Sequence, residues 1–267
     1  MKKNLRQLWY DPDLKVSVIM VDVTEAAQTL ARNHLCGPTS AAALAEALAA
    51  AAALSFEATE PEESLTIQMA CSGPLQGLAV ECTSQGILRG FTNRKILEDF
   101  DGVEPYDRER VCGTRQLTIA RSIPGRILTQ GVANSINNYL TQSLQRNAKF
   151  TVEVTVTDDV VVHSAIAVLI DALPDSAVNV SELSARGQKG ASLAVSERTI
   201  LSRLGLKNAI LKETLPLKFG CRCSRERALA TLQTVPPEER ASLPESIDVT
   251  CHMCGRTYTI HPQKEGL

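Results

Sequence analysis

The order of apolar patterns along the chain predicts an α+β fold. Strand-like runs at residues 65–70, 77–82 and 87–91 follow one another with only Gly73-Pro74 and Gln85-Gly86 between them. Consecutive strands joined by turn residues pair antiparallel, whereas a doubly wound sheet needs a helix after each strand. The helical patterns instead stand ahead of these strands, at residues 24–33 and 39–53. Four cysteines in two close pairs, Cys221-x-Cys223 and Cys251-x-x-Cys254, mark a separate small unit at the far end.

Residues 24–33 carry an amphipathic helical pattern. A second helix is expected to open just after Gly37-Pro38, with Thr39 or Ser40 capping its first turn. Its body, residues 41–53, is mostly alanine, which combines high helix propensity with a slim surface for close packing. Residues 116–123 and 126–130 read as a further strand pair around Pro124-Gly125, and residues 133–146 as helix. Residues 150–157 alternate apolar and polar side chains, as a half-buried strand does. Residues 160–173 stay open between strand, for their β-branched start, and helix, for their alanines.

The first domain is expected to span residues 1–175, a mixed unit of antiparallel strands and packed helices. Residues 176–218, polar with Gly187, Gly190, Gly205 and a helical patch at 196–204, read by composition as ordinary connecting helices. Residues 219–267 form the small zinc-binding domain. There, Ser224 is placed to cap a helix reaching about residue 233, with Ala228, Leu229 and Leu232 on one face. Pro236-Pro237 ends it, and residues 247–250 and 257–260 suit a hairpin with Cys251 and Cys254 at its turn.

Hydrophobic content of 44% and charged content of 22% over 267 residues are those of an ordinary globular chain. A net charge of −2 gives no electrostatic reason to expect nucleic acid or an anionic membrane as partner. One Trp, four Tyr and five Phe are poor material for stacking bases. The early Lys2 and Lys3 lead into Trp9-Tyr10-Asp11 rather than an apolar signal core. The longest apolar run, residues 41–56, contains Glu46 and Ser55 and reads as too short to span a bilayer. A reducing, cytoplasmic location is expected, where thiols serve metal binding or redox sensing.

Two thiol pairs brought together make a tetrahedral four-cysteine site, so Cys221, Cys223, Cys251 and Cys254 are expected to hold one Zn²⁺ per chain. Residues 221–267 are too few for a self-sufficient core, and metal binding supplies roughly 10–16 kcal/mol to such domains. The C-x-C arm is cramped, and its thiols lie side by side when the metal leaves, which suggests a switch. A purely structural zinc module, binding nucleic acid or protein, is the alternative that spacing alone leaves open. Arg222, Arg225, Arg227 and Arg256 lie close in sequence to the sulfurs and offset their charge. His252 reads as a surface residue, and His34, His163 and His261 lack ligand spacing. Cys36, Cys71, Cys82 and Cys112 read as small buried hydrophobes. A Cys71–Cys82 bridge is disfavoured because the intervening turn leaves the two out of register.

The segments Phe219-Gly-Cys-Arg-Cys-Ser-Arg-Glu-Arg227 and Cys251-His-Met-Cys-Gly-Arg-Thr-Tyr258 resemble the heat shock protein 33 family of redox-regulated holdases. The resemblance extends to H-L-C-G-P-T-S-A-A-A-L-A-E-A-L from His34, to S-G-P-L-Q-G-L-A-V-E from Ser72 and to G-I-L-R-G-F from Gly86. The chain departs from the family pattern at Ser164-Ala-Ile-Ala167, where a Gly-Gly pair is usual, and at Ser143-Leu-Gln145. The resemblance implies an ATP-independent chaperone of the stress response, zinc-bound and inactive when reduced, with no catalytic residues. After cysteine oxidation and zinc release it would protect unfolding or oxidatively damaged client proteins from aggregation. It implies disulfides Cys221–Cys223 and Cys251–Cys254 in the oxidised form, with a monomer when reduced and a homodimer when oxidised. It also implies that residues 176–218 are a metastable helical linker. Competing readings fit less well. Residues 218–267 carry seven Lys/Arg against six Asp/Glu, a poor footprint for nucleic acid. The H-x-E of zinc deaminases is missing, as is any Walker loop.

Overall fold

The structure is a computed structural model that describes residues 4–102, 107–188, 192–240 and 242–265; Gly190 of the expected linker lies outside them. The chain opens with a hairpin, β1 (Leu5–Asp11) and β2 (Val16–Asp22), which the sequence pattern does not announce. Asp11 turns it, its carboxylate accepting from the amides of Asp13 and Leu14, both at 3.1 Å. Helix α1 (Thr24–His34) stops where Leu35 adopts a left-handed conformation, and α2 (Pro38–Leu54) follows at once.

The start of α2 corrects the expected cap. Gly37 is the N-cap, Pro38 opens the first turn, and neither Thr39 nor Ser40 caps it. Asp101 takes over from a distant loop, accepting from the Thr39 amide at 3.0 Å. A Cβ on Gly37 would stand 2.2 Å from the Asp101 carboxylate, so the approach requires glycine. Ser40 instead donates to the Arg94 carbonyl at 2.8 Å.

Next come β3 (Ser64–Cys71), β4 (Gly77–Thr83) and β5 (Ile87–Thr92), then the short α3 (Arg108–Cys112). Strands β6 (Arg115–Ile123) and β7 (Arg126–Ala133) form the expected second pair. The helix expected over residues 133–146 shrinks to α4 (Ile136–Asn138) and a wide turn at Tyr139–Ser143. Strands β8 (Asn147–Val156) and β9 (Val162–Ala172) complete the pattern, which settles the open segment as strand. The linker supplies α5 (Val180–Gln188), α6 (Glu197–Arg203), the edge strand β10 (Ile210–Pro216) and the short β11 (Lys218–Phe219). The chain ends in α7 (Arg225–Gln233), α8 (Pro237–Arg240) and the hairpin β12 (Ile247–Thr250) with β13 (Thr257–Ile260).

Two larger sheets and the small hairpin result. One larger sheet runs β10-β1-β2-β9-β8, the other β11-β5-β4-β3-β6-β7, and only β11 joins its neighbour in parallel. Helix α2 packs against strands of both sheets. Its alanines explain how: a helix squeezed between two layers needs a thin profile on every side, and fourteen of its seventeen residues are buried. A helix apolar all round is a core helix. The 20-residue stretch Pro38–Glu57 is in fact long and apolar enough to cross a membrane by composition, which corrects the expectation that the run is too short. Its burial places it inside the fold, where 83% of that window is covered.

The five-stranded sheet is buried on both faces. Ile19, Val21, Ala165, Ala167 and Leu169 face α1 and α2 in the main core. Val16, Val18, Met20, Ile166, Val168 and Ile170 point the other way, under a layer built by the linker. Val180, Leu183, Leu193, Ile200, Leu201, Leu204 and Leu206 form that layer. Burial on both faces removes the polar alternation that marks a strand, which is why β2 and β9 were hard to read.

A test of this architecture is to widen α2. Ala51 is fully buried, so Ala51→Leu should lower unfolding stability by about 1–3 kcal/mol through overpacking. Urea unfolding followed by circular dichroism measures it. A variant as stable as the parent would show that α2 is not clamped between the sheets.

Candidate metal centre

Each cysteine pair is delivered by local structure attached to the core. After β11 pairs with β5, the Gly220 amide donates to the Leu88 carbonyl at 3.1 Å, so Cys221 and Cys223 leave directly from a sheet edge. Ser224 then caps α7 as expected, its hydroxyl accepting from the Arg227 amide at 3.3 Å. The second pair sits in the turn of the β12–β13 hairpin. There, the Cys251 amide donates to the Arg256 carbonyl at 2.8 Å, and the Cys254 and Gly255 amides donate to the Cys251 carbonyl.

These knuckles bring all four Sγ atoms within 4.8 Å of one another. Cys221 and Cys251 sulfurs are 3.8 Å apart, and those of Cys223 and Cys254 3.4 Å. Four thiolates at the usual zinc–sulfur bond length stand about 3.8 Å from each other around a tetrahedron. The donor set and its spacing therefore fit a four-coordinate metal ion. Cys254 is fully buried and the other three are partly so. His252 is exposed, and its ring lies 3.7 Å from that of Phe91.

Electrostatics favour thiolate at one corner. Burial pushes the Cys221 thiol up, but it is outweighed by the Cys223 amide and thiol, Arg89 and Cys254, which bring it down to about 7. Burial holds Cys251 and Cys254 above the ordinary thiol range. Among the arginines near in sequence, Arg222 turns to Glu81 at 3.5 Å and Arg225 donates to the Thr259 carbonyl at 2.5 Å. Arg256 stays close enough to feel the charge of Cys223 and Cys254. The guanidinium that reaches a sulfur comes from elsewhere: Arg89 on β5 stands 3.9 Å from Cys221 Sγ and pairs with Glu81 at 2.7 Å. Tyr258, the last residue of the second quoted segment, donates its hydroxyl to Cys223 Sγ at 3.2 Å. Sequence spacing could not locate Arg89, which lies far from Cys221 along the chain but on the strand that β11 joins; it is the arginine of the G-I-L-R-G-F segment.

The module is docked on the core. The Gly90 amide donates to the Met253 carbonyl at 3.0 Å. Gly255, at φ +71°, lies so close to the end of α1 that a Cβ would stand 2.3 Å from the Asn33 carbonyl. His34, read as lacking ligand spacing, is buried under this contact, and its Nε2 has no hydrogen-bond partner. Desolvation lowers its pKa, against the opposing pull of the Gly90 and Met253 backbone, and so favours the neutral ring beneath the module.

Residues 8–261 match the family model described as Hsp33 protein. Among curated proteins, the 33 kDa chaperonin of Symbiobacterium thermophilum is 30% identical, covering 93% of this chain and 90% of its own. That of Thermus thermophilus is 29% identical over 99% of this chain and 85% of its own. The crystal structure of the 33 kDa chaperonin from Thermotoga maritima, a heat shock protein 33 homolog, superposes with a TM-score of 0.86. It covers 97% of this chain and 95% of its own at 19% identity, a likeness of fold. The matched span takes in both sheets, the linker helices and the four-cysteine centre, and on it this chain belongs to the Hsp33 family.

Proposed function

We propose that the chain is a redox-regulated, ATP-independent holdase, quiet while Cys221, Cys223, Cys251 and Cys254 hold one zinc ion. The four-cysteine cluster carries the reading, because it closes a module continuous in sequence with the strands and helices that cover an apolar sheet face. Zinc, when bound, keeps the four sulfurs deprotonated and supplies the folding energy that so small a module lacks. The curated relatives' name, 33 kDa chaperonin, supports the chaperone role. Residues 1–175, 176–218 and 219–267 serve as client-binding domain, releasable linker and redox module, and the chain carries no catalytic step.

The chemistry proceeds on the sulfurs. A peroxide oxidises one thiolate to a sulfenic acid, releasing hydroxide, and a second thiol displaces water to close a disulfide. Family likeness supports the pairs Cys221–Cys223 and Cys251–Cys254. The two disulfides carry no charge, so Arg89 and Tyr258 lose the anions they face. The module then loses its fold, and Phe219, Leu229, Leu232, Val249 and Tyr258 lose their packing. Release of α5 and α6 would bare Val16, Val18, Met20, Ile166, Val168 and Ile170, an apolar face suited to unfolding clients and to a second copy of this chain. A monomer at rest and a dimer after oxidation follow, in a reducing cytoplasm where the switch is normally off.

Metal content is the first check. The reduced protein should hold one zinc ion, and Cys254→Ser should lose at least tenfold in affinity, read by competition with a chromogenic chelator. Full occupancy at unchanged affinity would remove Cys254 from the ligand set.

The switch itself is tested with peroxide and mild heat. Zinc should leave, a hydrophobic dye should bind, the mass should double in sedimentation, and citrate synthase aggregation should be suppressed. Limited proteolysis of the oxidised form should first cut C-terminal to residue 177, sparing β3 to β5. Complete disulfide formation with dye binding, mass and aggregation all at reduced-state levels would leave only a structural zinc module.

A further inference from the structure

We propose that Cys71 and Cys112 form a second redox site, a dithiol in the core domain that peroxide closes to a disulfide. Cys71 ends β3 opposite Arg115 of β6. Beyond it the chain is laced to the end of α3: the Ser72 amide donates to the Thr114 carbonyl at 2.9 Å, and that of Gly73 to the Cys112 carbonyl at 2.9 Å. Leu75 continues the lacing to the Val111 carbonyl at 3.2 Å. The approach is tight, since a Cβ on Gly73 would stand 2.5 Å from the Val111 carbonyl oxygen. These contacts set Cys71 and Cys112 side by side, close enough for each thiol to perturb the other.

The other core cysteines have different neighbours. Cys82 lies opposite Leu65, away from Cys71, and accepts from the Ser55 hydroxyl at 3.2 Å. Cys36 sits 4.0 Å from the Thr92 hydroxyl.

The site has an entry and a division of labour. Peroxide reaches the pair at Cys71, while Cys112 lies behind it and borders a cleft of about 350 Å³ lined also by Arg115 and the paired Glu46 and Arg108. Cys71 is half-buried, whereas Cys112 is 2% exposed. Burial raises both thiols, Cys112 to about 11; at Cys71 the Gly73 and Gln76 amides, the Cys112 thiol and Arg115 oppose it. Cys71, the more exposed of the two, is therefore the thiol that meets peroxide and attacks, and Cys112 the one that resolves. Cys71 thiolate takes one oxygen from hydrogen peroxide, giving a sulfenic acid and hydroxide. Cys112 sulfur then displaces the hydroxyl, forming the S–S bond, and its proton leaves with that oxygen as water. In sum two thiols and one hydrogen peroxide give one disulfide and two waters.

The experiment treats the full-length zinc-loaded protein with hydrogen peroxide, alkylates the remaining thiols under denaturant, and maps digested peptides by mass spectrometry without reduction. A Cys71–Cys112 cross-linked peptide in most chains is expected, leaving Cys36 and Cys82 as the alkylated residues once the four-cysteine cluster is also oxidised. Cys71→Ser should abolish that peptide and leave Cys112 alkylated. The two sites are read from separate peptides, so this pair can close when the cluster stays reduced, and the reverse. Cys71 and Cys112 both alkylated, Cys71 recovered as sulfinic acid beside free Cys112, or Cys71 bonded to a second chain would each overturn the proposal.

Discussion

Everything in the core is arranged around one buried helix. Helix α2 has a sheet on each side, so neither sheet can approach the other more closely than the width of that helix. Ala41 to Ala45 and Ala49 to Ala53 keep that width small, while Leu44, Leu48 and Leu54 fill the layers. Leu48 and Leu54 have no room to relax, since interiors pack as densely as organic crystals. The strands inherit the constraint: β2 and β9 must be apolar toward α2, yet their other face is apolar too. That second face is what the linker covers, so the demand placed by α2 ends in a sheet that cannot be left bare.

The four-cysteine cluster depends on the same core from the other sheet. β11 extends the sheet beside β5, and the first cysteine pair begins where β11 stops. Arg89 and Gly90 of β5, together with the end of α1, receive the second pair. The module is thus a metal-sized closure resting on a preformed platform, and Cys254 joins the main apolar core rather than a core of its own. Arg89 is shared between Glu81 and Cys221, so the charge on the sulfurs is felt inside the sheet. Loss of that charge leaves Arg89 paired to Glu81, and the docking weakens without stranding a cation.

Much of this was legible in the sequence where one physical cause dominated. Turn residues fixed the β3–β4–β5 meander, alanines revealed α2, Ser224 announced α7, and the cysteine spacing marked the centre. Legibility failed where a distant partner decided the outcome. The cap of α2 comes from Asp101, far along the chain, so the local Thr39-Ser40 signal was overruled. Strands β2 and β9 are buried on both sides and lose their period of two. Arg89 reaches Cys221 from the strand beside β11, far along the chain, and no spacing rule links the two. Cys71 and Cys112 meet only because the turn after β3 is laced to α3, and each alone reads as a small core residue.

The separation of the two apolar clusters bears on how a switch of this kind works. The layer of α5 and α6 on the five-stranded sheet forms a cluster distinct from the one containing Cys254. Loss of the metal therefore reaches the layer through the chain: from Cys221 into β11, through Leu217, and into β10. That strand is an exposed edge, pairing among the described residues with β1 alone, so detaching it breaks a single ladder. Once it lifts, α6 loses its C-terminal anchor, but its apolar contacts remain and still favour the closed layer. Glu153 accepts from Ser192 and Leu193, and Asn147 donates to the Val178 carbonyl. On the proposed reading, oxidation would loosen β10 without removing the apolar contacts that hold the layer down, and thermal energy would have to supply the rest.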